Sequence, residues 1–206
     1  MTSKQINTCR SEHDAIVRAA VRGSSGYNVT GTGLVLCPRH CLVRKNGVAD
    51  LQKGEKYVSC RYLFWKSWLT AISRYCNMDY IVLSTLAGIQ LPRVVISYDI
   101  GCQWSKHFRR RMQEFPDDMK LDPNMKIDVG VPSWHINGHG DNCRSNFYMG
   151  YMQDVGRTCG EEVETTWAQT NALGTSIREM GPGARHETLN DHWCGWNFRK
   201  IVGFRK

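Results

Sequence analysis

Glu161 and Glu164 are three residues apart, so on a helix their side chains leave the same face. Joined by a further carboxylate, such a pair can hold a divalent cation. The alternative is a solvated first turn, where acids suit the positive end of a helix. Asp99 is one candidate for a further carboxylate. It follows Arg-Val-Val-Ile-Ser-Tyr at 93–98, a β-branched and aromatic run that reads as a buried strand. In open α/β sheets ligands gather at the carboxyl ends of strands. Asp99 is therefore either a metal carboxylate or the cap of the next helix.

Softer ligands follow. His135, His139 and Cys143 recur every fourth residue, which on one continuous helix would align them for zinc. Gly138 and Gly140 weaken that helix, and Cys102 is the candidate for a fourth ligand. The alternative is a pair of structural histidines with satisfied hydrogen bonds. Cys37, His40 and Cys41 form a second short group of zinc-ligand types without recognisable four-ligand spacing. Lys106, Arg109, Arg110 and Arg111, with His107 among them, crowd one helical stretch at 103–115 that ends before Pro116. Such a cluster either neutralises phosphates or forms a solvated helix face. The formal net charge of +8 and pI near 9.1 favour an anionic partner, of which nucleic acid is the commonest.

These groups need elements to position them. Residues 32–36 read as a short strand, a helix starts near Asn77, and 125–131 alternates like a strand. One helix starts near Glu161 and stops at Gly181-Pro182-Gly183. The next starts at Thr188, where Thr188 and Asp191 have capping-box spacing, and carries Leu189, Trp193 and Trp196 on one face. With 206 residues one main domain is expected, at 32–206, preceded by a pattern-poor segment at 1–31 expected to be poorly ordered. No apolar run suggests a membrane span, and the first residues lack the apolar core of a signal peptide, so an intracellular location is expected. Nine irregularly spaced cysteines argue against a disulfide framework.

Several stretches also resemble one family. Val155 to Thr158, Gly160, Glu161, Glu164, Trp167 and Ala168 are followed by Glu179 to Gly183 and Arg185. Thr188, Leu189, Asp191 and His192 come next, then Trp196, Asn197 and Lys200. Earlier, Tyr98-Asp99-Ile100-x-Cys102-Gln103-Trp104 and the run from Arg44 to Glu55 complete the set. Together they resemble the catalytic domain of the fungal Kyakuja-Dileera-Zisupton (KDZ) transposases. Thr165 departs from the arginine usual there. The resemblance implies an incomplete RNase H-like DDE domain of the α/β class with a helix-rich C-terminus. It implies Asp99 and Glu164 as catalytic carboxylates, with Glu161 as alternate, and Mg²⁺ or Mn²⁺ as cofactor. DNA is the implied partner and the nucleus the implied location.

Two departures bear on activity. The family's first aspartate lies on an early strand, and none of Glu12, Asp14, Asp50, Glu55 and Asp79 matches its motif. The resemblance therefore implies a truncated, inactive copy. Between Tyr57 and Asn77 relatives have almost no residues, whereas here 58–74 intervenes. Val58-Ser59 can be encoded by an intron donor and Leu69-Thr70 by a branch-point sequence, so the segment is either a translated intron or an insertion carrying Trp65 and Trp68. Two other classes compete with the transposase reading. One is a non-catalytic nucleic-acid-binding protein, the other a zinc-stabilised interaction domain.

Overall fold

The computed structural model describes residue 29 and residues 31–51 and 75–204. The expectations for the N-terminal segment and for 58–74 lie almost wholly outside the described residues.

β1 (Gly31–Cys37) and β2 (Leu42–Leu51) form an antiparallel hairpin, with Gly31 opposite Leu51 and Cys37 opposite Leu42. β1 is the expected strand, but β2 was not legible. Its register jumps from Val48 opposite Leu34 to Val43 opposite Leu36, so residues 44–47 bulge out. The bulge holds the charged Arg44 and Lys45, which break the alternation a strand would show. Asn46 takes a left-handed φ of 55°, and a side chain at Gly47 would lie 2.9 Å from the carbonyls of Arg44 and Val35.

α1 (Cys76–Leu86) lies across this hairpin. β3 (Arg93–Ser97) and β4 (Lys126–Gly130) form a separate parallel pair, in register from Arg93 opposite Lys126 to Ser97 opposite Gly130. The crossover between them carries α2 (Gly101–Trp104) and α3 (Phe108–Met112). The single helix expected there is broken at His107, whose φ is +64°. The break lets Trp104 and Phe108 both turn inward, where they join Val82, Leu83, Met112, Phe115, Leu121 and Met125 in one core. Each such side chain contributes roughly 1.5–3 kcal/mol of burial.

That core also encloses a charge. Asp79 on α1 is fully buried and accepts hydrogen bonds from Trp104 Nε1 at 2.8 Å and from Arg111 Nε at 2.5 Å. Burial pushes its carboxyl above the usual aspartate range, against the lowering influence of Arg111 and Trp104.

After β4 come α4 (Asp141–Phe147), α5 (Glu162–Thr170), α6 (Leu173–Ile177) and α7 (Pro182–Gly203). The helix expected from Glu161 to Gly181 is thus two. The last one starts six residues before Thr188, because Pro182 is its first residue rather than a barrier to it. A proline there loses no hydrogen bond and has the right φ. α7 buries Leu189, Trp193 and Trp196 against Val43 and Ile177, as the sequence pattern indicated. Asn197 brackets Val43, accepting from its N–H at 2.8 Å and donating to its carbonyl at 2.9 Å. Arg185 grips Asp50 of β2 at 2.8 Å. Of the described cysteines, Cys76 is disulfide-bonded and six form no disulfide. No helix among the described residues is long and apolar enough to cross a membrane.

Candidate metal centre

β3 delivers Asp99 to its carboxyl end, where Tyr98 N–H still donates to Gly130 of β4. The N-cap of the following helix, α2, is Ile100, one residue beyond Asp99. Glu164 arrives from α5. That helix can start close to β3 because Gly160 has no side chain. A Cβ there would lie 2.6 Å from Ser97 Oγ and 2.8 Å from Met149 Sδ, and the residue's φ is +82°. Asp99, Glu164 and His135 consequently offer ligand atoms that all lie within 4.8 Å of one another.

Glu161 does not join them. It sits at the N-cap of α5, and its carboxylate accepts from Trp134 N–H at 2.7 Å and faces His135 Nδ1 at 3.1 Å. A carboxylate on Nδ1 favours the tautomer that leaves a lone pair on Nε2. Nε2 in turn lies 3.4 Å from Asp99 Oδ2. The His135 side chain is 11% exposed and that of Asp99 41%, so the group has a closed inner wall and an open outer one. Two carboxylates and one imidazole fit a divalent cation. The imidazole suits Mn²⁺ or Zn²⁺ better than Mg²⁺, which prefers oxygen.

His135 thus parts from the other soft ligands. Gly138 and Gly140 end the 3-10 turn His135–Gly138 and leave His139 extended, at φ −101° and ψ 154°. One continuous helix would have aligned all three; the kink sends His135 toward Asp99 and His139 into the interior. His139 there meets Cys102 from α2 and Cys143 from α4, all three buried, with Cys102 Sγ 3.5 Å from His139 Nδ1. This trio is the only soft-donor group among the described residues, and it has no fourth His, Cys, Asp or Glu within the same span. Cys37 and His40 touch at 3.3 Å on the surface but form no three-donor group with Cys41.

The basic run divides. Lys106 and Arg110 are exposed. Arg109, also exposed, donates to the Met125 carbonyl at 2.5 Å. Arg111 turns inward: besides Asp79 it donates to the carbonyls of Trp104 at 2.8 Å and Lys106 at 2.7 Å. It holds the fold and offers no fork to a phosphate. Sequence reasoning missed Trp134, which is 70% exposed beside His135, its ring centroid 5.0 Å from the imidazole. Its position after Pro132 carries no signal that could have found it.

A group of donors compatible with a cation thus lies at the carboxyl end of a parallel strand pair, in a mixed α/β chain of helices and small sheets. The profile of the Kyakuja-Dileera-Zisupton transposases matches residues 1–74 and 69–197, and the chain belongs to that family. No curated protein and no solved structure matches it.

Proposed function

We propose that this chain is part of an RNase H-like DDE domain whose ancestral reaction is metal-dependent cleavage and transfer of DNA strands. The observation that carries the reading is the convergence of Asp99, Glu164 and His135 from three separate parts of the chain. A cation held there would polarise a phosphate oxygen and lower the pKa of an attacking water or hydroxyl. Asp99 and Glu164 supply negative oxygen ligands, His135 closes the inner side, and Glu161 fixes the imidazole. Trp134, exposed at the rim, suits stacking by an unpaired base. Lys106, Arg109 and Arg110 remain the candidates for phosphate contacts, and such contacts make binding salt-sensitive.

The same geometry argues against strand transfer by this chain alone. Two-metal chemistry needs ions roughly 3.5–4 Å apart, held by several carboxylates. Of the acids preceding Asp99, Asp50 is held by Arg185 and Asp79 is buried against Arg111. Neither is available, so the described residues furnish one carboxylate-bearing cation group, that of Asp99, His135 and Glu164. Cys102, His139 and Cys143 are read as a separate structural zinc group. Action on chromosomal DNA places the protein in the nucleus.

The test is Mn²⁺ binding by electron paramagnetic resonance, with a nicking assay on supercoiled DNA. One Mn²⁺ per chain is expected, lost in Asp99→Ala and Glu164→Ala, without strand transfer. Two ions, or nicking abolished by Asp99→Ala, would refute the inactivity. Absence of Mn²⁺ binding to folded wild-type protein would refute the site.

A further inference from the structure

The outer donor group (Asp99, His135 and Glu164) and the inner one (Cys102, His139 and Cys143) are tied by the chain itself. Asp99 is three residues from Cys102, and His135 is four residues from His139. Glu164 and Cys143 have no such link, arriving on α5 and α4. Two short stretches, 99–102 and 135–139, therefore each run from an outer ligand to an inner one.

Neither stretch has slack. Gly101 N–H donates to the Tyr98 carbonyl at 2.8 Å and Trp104 N–H to the Ile100 carbonyl at 2.9 Å, so the chain turns straight from β3 into α2. In the second stretch Ile136 N–H donates to the Pro132 carbonyl at 2.9 Å and His139 N–H to the Ile136 carbonyl at 3.0 Å. A displacement of Cys102 or His139 is passed to Asp99 or His135 over a few bonds.

Neither stretch is stable by itself. α2 has four residues, far fewer than an isolated helix needs. The 3-10 turn His135–Gly138 has poorer hydrogen-bond geometry than an α-helix, and Gly138 and Gly140 restrain its exit least of all residues. Such elements need an anchor at the far end. The inner group supplies one: its three residues are buried, their donor atoms lie within 4.8 Å of one another, and α4 brings Cys143 from outside both stretches. An ion shared by the three ties the ends of both stretches to each other and to α4.

We propose that the inner group is a positioning device for the outer one: zinc held by Cys102, His139 and Cys143 raises the affinity of Asp99, His135 and Glu164 for a divalent cation. The inference rests on the two metal readings given above. Its content is a coupling free energy. Zinc restricts motion of Asp99 and His135 that the outer cation would otherwise have to freeze, so that cation loses less entropy on binding. Couplings between sites are typically about 5–150-fold, and they are reciprocal. A zinc that merely held the fold would move the urea midpoint and leave the outer affinity of the folded protein unaltered.

The experiment uses the full wild-type chain. Mn²⁺ affinity is measured by electron paramagnetic resonance with zinc bound, and again after zinc is stripped by a chelator that is then dialysed away. Circular dichroism checks the fold in each state. The Mn²⁺ dissociation constant should rise about tenfold on stripping, and saturating Mn²⁺ should lower the zinc dissociation constant by the same factor. Cys143→Ala, which alters neither linking stretch, should reproduce the weakened Mn²⁺ binding. Should the zinc-free forms unfold, the cadmium-loaded wild type keeps the test open: a larger ion on the same ligands shifts Cys102 and His139, and Mn²⁺ should bind at least about threefold more weakly than to the zinc form. Equal Mn²⁺ affinity in all folded forms would overturn the proposal and leave both metal readings standing. Wild-type protein that takes up no zinc would overturn it together with the inner reading, and zinc-loaded protein that binds no Mn²⁺ would overturn it together with the outer one.

Discussion

The two donor groups lie on neighbouring elements and differ in every property that decides what a metal site does. Asp99, His135 and Glu164 are mostly hard donors with an open side. Cys102, His139 and Cys143 are soft donors, all buried. Catalytic sites keep a position open for substrate, whereas structural sites close around the ion. A single turn of chain, from His135 to His139, feeds both groups. The comparison teaches that ligand spacing in sequence says little until the backbone between the ligands is known. In this chain two glycines convert one apparent motif into parts of two donor groups.

The sharpest way to break this contrast is to remove the inner ligands. In the His139→Ala/Cys143→Ala double variant, bound zinc measured by atomic absorption should be lost, and the urea midpoint should fall further than in Asp79→Ala. Apparent zinc-binding energies in folded peptides are about 10–16 kcal/mol, so even a fraction of that dominates. Asp99→Ala should leave the midpoint near wild type while abolishing Mn²⁺ binding. If wild-type protein purified with zinc in the medium carries none, the inner group is merely a packed cluster.

Next in size is the buried ion pair behind the inner group. Arg111 and Asp79 pin Trp104, two residues from Cys102 on α2. Asp79→Ala leaves Arg111 without its carboxylate and Trp104 Nε1 without its acceptor. A destabilisation of about 3–5 kcal/mol by urea unfolding is expected. Cys102 should also label faster with a thiol reagent. Unchanged labelling in a destabilised but folded variant would uncouple the pair from the inner site.

How much of this was legible varies with the physics involved. β1, α1, β3, β4 and the buried face of α7 could be read because apolar residues such as Val94, Ile96, Trp193 and Trp196 follow the period of their element. β2 was hidden, since its bulge puts Arg44 and Lys45 in the middle of a strand. Strand-end and helix-start positions leave Asp99 and Glu164 open between metal ligands and ordinary caps or solvated acids; the family resemblance singles them out, and their ligand atoms lie within 4.8 Å of each other. The choice between Glu161 and Glu164 was not legible: both face one way on an ideal helix, but Glu161 sits just outside the helix, at its N-cap. Arg111 looked like its neighbours because nothing local announces a partner 32 residues away.

Glu161 offers a finer probe of the outer group. Its link to His135 orients the ring without contributing to the three-ligand group. Loss of such a supporting carboxylate typically lowers metal affinity 10–100-fold. Glu161→Gln should therefore weaken Mn²⁺ binding within that range, leave the stoichiometry at one, and leave zinc in the inner group untouched. Isothermal titration measures both. Complete loss of binding would make Glu161 a ligand itself, and no change would make the contact incidental.

The smallest expected effect tests how the strand bearing Asp99 is held. Asp128 of β4 bonds Arg93 of β3 at 2.6 Å and lies 3.3 Å from Lys126. Burial pushes its carboxyl up, but hydrogen bonds and charge from Arg93 and Lys126 outweigh this, and its pKa falls below the ordinary aspartate value. A carboxyl whose folded pKa is depressed stabilises the fold above the unfolded pKa. That contribution is lost as pH falls through the folded value. Exposure limits it to less than about 1 kcal/mol. Asp128→Asn should thus cost a few tenths of a kcal/mol at pH 7, and the wild-type advantage should vanish in acid below the folded pKa. Mn²⁺ affinity should hardly move, because the backbone ladder from Arg93–Lys126 to Ser97–Gly130 fixes β3 independently of the ion pair. A large loss of Mn²⁺ binding would mean instead that the outer group depends on a surface contact at the far end of its strand. The rigidity that sets it apart from a chance meeting of acids would then be gone.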